Sequence, residues 1–190
     1  MDKGGIIRKA CRRYNVPGHA HELTFSCFKQ QQFLSRNLTR RFFCDAVQRA
    51  RKLHSFHVWA YVIMPEHVHL LIWPTRLEYS VSRILLSIKQ SVARRAVGYL
   101  RRENPKGLKW LATGQKDCAY RFWRDGGGYD RNVLHAHALR EMVDYIHNNP
   151  VRRGLVSRPG DWPWSSCRDW RNEGCGPIPL DKDSLQAAMR

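Results

Sequence analysis

The sequence predicts a mixed α/β protein of the α+β type, a ferredoxin-like split βαβ sandwich whose antiparallel sheet carries helices packed on one face. Segments with alternating apolar residues, typical of strands, and segments with apolar residues every three to four positions, typical of helices, follow the order strand, helix, strand, strand, helix, strand, helix. Turn residues separate them. The length of 190 residues, with no internal repeat, fits one domain.

The first half of the chain predicts three strands and one helix. Residues 21–28 (HELTFSCF) alternate as a strand does, with Leu23, Phe25 and Cys27 on one side. Residues 33–54 predict an amphipathic helix, because its apolar residues lie four apart: Leu34, Leu38, Phe42, Ala46 and Ala50. Residues 55–74 predict two strands joined by a tight turn at Pro65, since a proline does not fit a central ladder.

The second half predicts two helices and a short hairpin. Ser80 or Ser82 can cap the first helix, whose apolar stripe is Ile84, Leu85, Ile88, Val92 and Ala96. Residues 120–133 indicate a strand, a glycine turn and a strand. The helix over 137–151 has the core face Leu139, Met142, Val143 and Ile146. Pro150 disfavours helical geometry at Asn149, which predicts that the helix ends there.

The charge of the chain predicts a polyanionic partner. Lys and Arg number 33 against 16 Asp and Glu, a formal net charge of +17, and nucleic acid is the usual partner of such a surface. No apolar run reaches the length of a membrane span and the start lacks a secretory signal, so we expect a cytoplasmic protein without a membrane partner. Aromatic residues near basic ones, which could stack on unpaired bases, are Phe122, Trp123 and Tyr129. The candidate phosphate contacts are Arg83, Lys89, Arg94, Arg95, Arg101, Arg102, Arg152 and Arg153.

Two histidines interrupt the apolar segment MPEHVHLLIWP at 64–74. His67 and His69 are two apart on a strand, so they project to the same side, where neutral imidazoles can hold one divalent metal. An isolated pair of this kind is more often hydrogen-bonded at a surface, and a metal needs a third ligand from elsewhere. Tyr145 and Asn149 lie four apart on one helix face. Each alone is typical of a helix boundary, whereas together with the histidines they favour an active site.

Four segments together resemble the REP-associated tyrosine transposases, of the single-tyrosine HUH (IS200-like) transposase superfamily: AYVIMPEHVHLLIWP, YRFWRDGGGYDRNV, VDYIHNNPVRRGLV and DWPWSS. The resemblance implies an HUH domain over residues 21–166. The flanking segments carry no clear family signature, and we expect a basic N-terminal arm over 1–20 and a C-terminal tail over 167–190. The resemblance also implies that His67, His69 and Asn149 bind Mg²⁺ or Mn²⁺ and that Tyr145 is the nucleophile.

By the same resemblance, the protein would cut single-stranded DNA near a hairpin, leave a 5′-phosphotyrosine and a free 3′-OH, and rejoin strands. It would act beside the bacterial nucleoid, as a monomer or a homodimer. The glycines at 126–128 depart from the family pattern and predict a looser hairpin, and His147 is predicted to be peripheral. Two alternatives stay open: a non-catalytic protein that binds single strands or hairpins, and a metal-dependent phosphodiesterase that uses water.

Overall fold

The computed structural model describes residues 13–126 and 128–188, and its elements follow the predicted order. The strands are β1 Ala20–Ser26, β2 Phe56–Ile63, β3 His67–Pro74 and β4 Tyr129–Val133. The helices are α1 Asn37–His54, α2 Val81–Glu103, α3 Ala136–Arg152, α4 Cys167–Trp170 and α5 Lys182–Ala188. Short 3-10 turns cover Phe28–Gln30, Pro105–Trp110 and Pro159–Asp161.

The four strands form one antiparallel sheet in the order β2-β3-β1-β4. The two central strands, β1 and β3, pair along most of their lengths, with Thr24 opposite His69. The α+β class predicted from the sequence is therefore confirmed. Among the described residues, no helix has both the length and the apolar character needed to cross a membrane.

Helices α1 and α2 cover one face of the sheet. Their apolar stripes pack on Leu23 and Phe25 of β1 and on Leu70 of β3, all of which are buried. The predicted stripe of α2 is buried along its whole length. Ser80 caps this helix, because its Oγ accepts from the backbone N–H of Arg83 at 3.3 Å.

Helix α3 lies on the opposite face, which corrects the prediction that the helices share one face. Its residues Met142 and Ile146 pack with Val62 of β2 and Leu71 of β3 in a second apolar cluster. The physical reason is that the central strands carry apolar side chains on both sides, so both faces need a covering layer. His67 and His69 project to this second face, and α3 therefore lies beside them.

Three local predictions were also wrong. Residues 120–124 form only isolated bridges, so β4 is the single strand of that segment. Helix α3 continues through Pro150 to Arg152, because the backbone N–H of Arg153 still bonds to the carbonyl of Asn149 at 3.1 Å. Leu38 is half-exposed at the start of α1 and does not belong to the core.

The C-terminal segment packs along β2, the edge strand far from β4. Trp162 and Trp170 donate their indole N–H groups to the backbone carbonyls of Ile63 and Trp59, both in β2. The Asp181 carboxylate accepts the backbone N–H of Val58 at 2.8 Å. With Leu185 buried in the second cluster, residues 162–185 cover the sheet edge that β2 would otherwise expose.

Candidate active site

The two histidines of β3 face α3 together, as their spacing predicted. Their ring centroids are 5.0 Å apart and the rings are nearly perpendicular. His69 is buried and His67 is partly exposed. Burial, reinforced by the neighbouring His69, lowers the pKa of His67, so its ring is held neutral with a lone pair available to a ligand.

A carboxylate holds the Nδ1 atom of each ring. The Nδ1–H of His69 donates to Glu22 Oε1 at 2.9 Å and lies 2.8 Å from Thr24 Oγ1. The Nδ1–H of His67 donates to Glu66 Oε1 at 3.1 Å. Each Nε2 is thereby left as the unprotonated nitrogen, which is the arrangement typical of metal-ligating histidines.

Sequence reasoning missed Glu22, the most deeply buried carboxylate of the site. Glu22 is 2 % exposed and Thr24 donates a further hydrogen bond to it. Alternation along residues 21–28 does put Glu22 and Thr24 on the side away from Leu23. Only the register between β1 and β3 reveals that this side meets His69.

Tyr145 lies over His69. Their ring centroids are 5.4 Å apart in an edge-on contact, and Tyr145 is 42% exposed. The guanidinium of Arg152 lies 5.1 Å from the centre of the Tyr145 ring. One turn after Tyr145, the buried Asn149 donates through Nδ2 to the Tyr145 carbonyl at 2.9 Å, which leaves Oδ1 as its acceptor. The fold thus brings all four predicted site residues together.

These four side chains line an open cavity of about 530 Å³ between β1, β3 and α3. It offers two imidazole nitrogens, an amide oxygen and a phenol. Within residues 13–126 and 128–188, no three His, Cys, Asp or Glu side chains are clustered in a way that could hold a metal ion. A third protein ligand would therefore come from another residue type; the amide side chains that line the cavity are Gln30, Gln32 and the predicted ligand Asn149. His, His and Asn donors suit Mn²⁺ better than Mg²⁺.

The predicted phosphate contacts divide between the two faces. Arg152 and Arg153 lie at the cavity, and Arg153 also pairs with Glu66 at 2.6 Å. The six on α2 lie on the other face of the sheet. Several of these already have partners: Arg95 pairs with Asp45, and Lys89 donates to two backbone carbonyls while burial lowers its pKa. The α2 contacts stay predictions for a surface remote from Tyr145.

The three residues predicted to stack on bases differ in their exposure to solvent. Phe122 and Trp123 are core residues, 2% and 4% exposed, so the stacking prediction was wrong for both. Tyr129 is exposed. The glycine turn before it is not loose at Gly128, where a Cβ would lie 2.2 Å from the Thr24 carbonyl oxygen.

His147 points away from Tyr145, as its helical position predicted. It is buried, its Nε2 lies 2.8 Å from Ser166 Oγ, and its ring contacts Trp170. Burial lowers its pKa to about 4. This residue joins α3 to the C-terminal segment.

Comparison with known proteins confirms the resemblance seen in the motifs, although no family model matches the chain. A Haemophilus influenzae protein provisionally named a REP-associated tyrosine transposase is 28% identical over 124 residues, or 65% of this chain and 66% of that protein, just under two thirds of its length. The REP-associated tyrosine transposase of Escherichia coli is 25% identical over 172 residues, or 90% of this chain and 88% of that protein.

The fold is shared with a solved structure of a REP-associated tyrosine transposase bound to a REP hairpin. The TM-score is 0.67 at 22% identity, and the match covers 90% of this chain and 88% of the other. These relatives support the prediction of an enzyme of the tyrosine transposase class.

Proposed function

We propose that this protein is a metal-dependent, single-tyrosine enzyme that cleaves single-stranded DNA at hairpin sequences and transfers the cut strand through a 5′-phosphotyrosine. The observation that carries the proposal is the edge-on contact of Tyr145 with His69 in an open cavity where both histidines present Nε2. The charge of +17 and the relative bound to a REP hairpin support DNA as the substrate.

The covalent step follows from the phenol of Tyr145. Its oxygen attacks the scissile phosphorus and the P–O3′ bond breaks. The departing 3′ oxygen takes up a proton and leaves as a 3′-OH, while the phenol proton passes to solvent. The 3′-OH of another strand can then attack the phosphotyrosine and restore the phenol. Because the linkage stores the phosphodiester, rejoining needs no external energy source.

The surroundings of Tyr145 fit that chemistry. A phenol has a pKa near 10 and is a weak nucleophile at neutral pH, so the phosphate must be polarised. A divalent metal held by His67, His69 and Asn149 would supply that polarisation. Glu22 and Glu66 orient the two rings. The Arg152 guanidinium lies over the Tyr145 ring, where its positive charge would stabilise the phenolate that forms as the phenol proton leaves.

The test uses hairpin oligonucleotides from the DNA that flanks the gene, labelled at the 5′ or the 3′ end. With Mn²⁺ or Mg²⁺, we expect the 3′ label on the protein and the 5′ label on a free strand. Tyr145→Phe should abolish the adduct. Tyr99→Phe is the matched control, since Tyr99 is also partly exposed but lies on α2, across the sheet. An adduct of full yield in Tyr145→Phe contradicts the assignment of the nucleophile.

The same gel separates the alternatives. Hairpin binding without an adduct under either metal favours a non-catalytic protein. Free products with no label on the protein favour hydrolysis by water. His67→Ala and His69→Ala should each prevent adduct formation. Full cleavage in excess EDTA would contradict the proposal that cleavage requires a divalent metal. The oligomeric state and a location beside the nucleoid stay predictions.

A further inference from the structure

A second groove of about 390 Å³ adjoins the histidine cavity, between β4 and α3. Tyr129 and Arg131 form its strand wall, and Met142 contributes to its helix wall. Tyr145 and Thr24 line both cavities, so the groove begins at the proposed nucleophile. We propose that it binds an unpaired nucleotide next to the scissile phosphate, with the base stacked on Tyr129 and a phosphate on Arg131. This inference rests on the proposed function.

The strand register extends the active site to the sheet edge. Tyr129 pairs with Thr24 and Thr24 pairs with His69, so these three residues form one row across β4, β1 and β3. Two strand spacings separate Tyr129 from His69, or about 10 Å between their Cα atoms. Arg131 lies two residues further along β4, opposite Glu22, so its side chain projects to the same face as that of Tyr129. The backbone therefore fixes how far the groove lies from the metal-binding residues.

Both side chains of β4 are available to a ligand. Tyr129 is 56% exposed and Arg131 is exposed. Across the described part of the chain, the structure gives Tyr129 no ring contact and Arg131 no ion pair. Gly128 lets the start of β4 approach Thr24 more closely than any side chain would allow. An exposed aromatic ring on a strand fixed in this way is a platform for base stacking.

The charges of the groove favour a base over a phosphate at its centre. Two carboxylates line it. Glu22 is engaged by His69 and Thr24, and Glu141 lies 3.5 Å from His137 Nδ1. These negative charges repel a phosphate from the centre of the groove, whereas a neutral base experiences no such repulsion. The phosphate of the same nucleotide can instead meet Arg131 on the edge strand.

The test uses photo-crosslinking and binding without cleavage. The protein carries Tyr145→Phe, EDTA is present, and the probe is a single-stranded oligo-dT with one 5-iododeoxyuridine. We expect a crosslink at Tyr129, identified by mass spectrometry. Tyr129→Ala should remove that crosslink and weaken binding by about 5- to 150-fold, the range for loss of one stacked base. Tyr129→Phe should retain both, and Arg131→Gln should reduce the salt dependence of binding by about one unit of slope.

The matched control is Tyr99→Ala, which removes a partly exposed tyrosine from the other side of the sheet and should leave the Tyr129 crosslink and the affinity unchanged. The proposal is overturned if oligo-dT does not bind, if crosslinks form only outside the groove, or if Tyr129→Ala binds as Tyr99→Ala does. The readout needs neither metal nor chemistry. If the wild-type protein forms no phosphotyrosine but crosslinks at Tyr129, the proposed function is refuted, whereas the proposal that the groove binds a nucleotide is still supported.

Discussion

Replacing Glu22 by glutamine should weaken metal binding while leaving the fold intact. Glu22 Oε1 accepts from His69 Nδ1 at 2.9 Å and from Thr24 Oγ1. The carboxylate keeps the proton of His69 on Nδ1 and raises the basicity of Nε2. A glutamine of the same shape retains an acceptor oxygen but loses the negative charge.

The size of the effect follows from this geometry. Loss of a carboxylate behind a ligating histidine costs about 10- to 100-fold in metal affinity, or about 1.4 to 2.8 kcal/mol. The free energy of unfolding should change by less than about 1 kcal/mol, because Oε1 of the glutamine still satisfies Thr24 and His69 and a buried charge is removed. A loss of affinity without a loss of stability distinguishes a positioning residue from a merely structural one.

The assay is calorimetric titration of Mn²⁺ into the Tyr145→Phe protein without DNA, beside urea unfolding of the same samples. Glu141→Gln is the matched control, since Glu141 is an exposed carboxylate of the neighbouring groove whose ion pair is with His137 and not with His67 or His69. A Glu22→Gln protein that binds Mn²⁺ within twofold of its parent, or that loses affinity only through unfolding, refutes the reasoning.

Three other predictions test the surroundings of the site. Gly128→Ala should lower the free energy of unfolding, measured in urea, by about 1–3 kcal/mol, because its φ is +74° and the added Cβ would clash with the Thr24 carbonyl oxygen. Gly126→Ala is the control, since a Cβ there meets no atom within 4 Å, and it should destabilise the protein less. Equal losses of stability in the two variants would contradict this prediction. His147 has a folded pKa of about 4 against about 6.5 unfolded, so stability is complete above pH 6.5 and falls by up to about 3 kcal/mol towards pH 4. In His147→Gln, the free energy of unfolding in urea should differ less between pH 7 and pH 4.5 than it does in the parent protein. An unchanged difference would mean that other groups cause the loss of stability in acid. Asn149→Ala should weaken Mn²⁺ binding in the same calorimetric titration, and an unchanged affinity would remove it from the ligand set.

The sequence by itself determined the element order and the side chains that share a face within each element. His67 and His69 project together because side chains alternate along a strand, and Tyr145 and Asn149 do so because residues four apart stack on a helix. The buried stripe of α2 follows from the same periodicity. These are local properties that the backbone geometry of each element sets, so they can be predicted without knowing which other elements pack against it.

Only the tertiary structure decided what each face meets. Periodicity does not say on which side of the sheet α3 lies, that Glu22 pairs with His69, or that Phe122 is buried while Tyr129 stays exposed. Those outcomes depend on strand register and on how the whole apolar surface is covered, and both are set by contacts between residues distant in the chain. The amphipathic pattern marked α2 as basic, but packing placed its charges across the sheet from Tyr145.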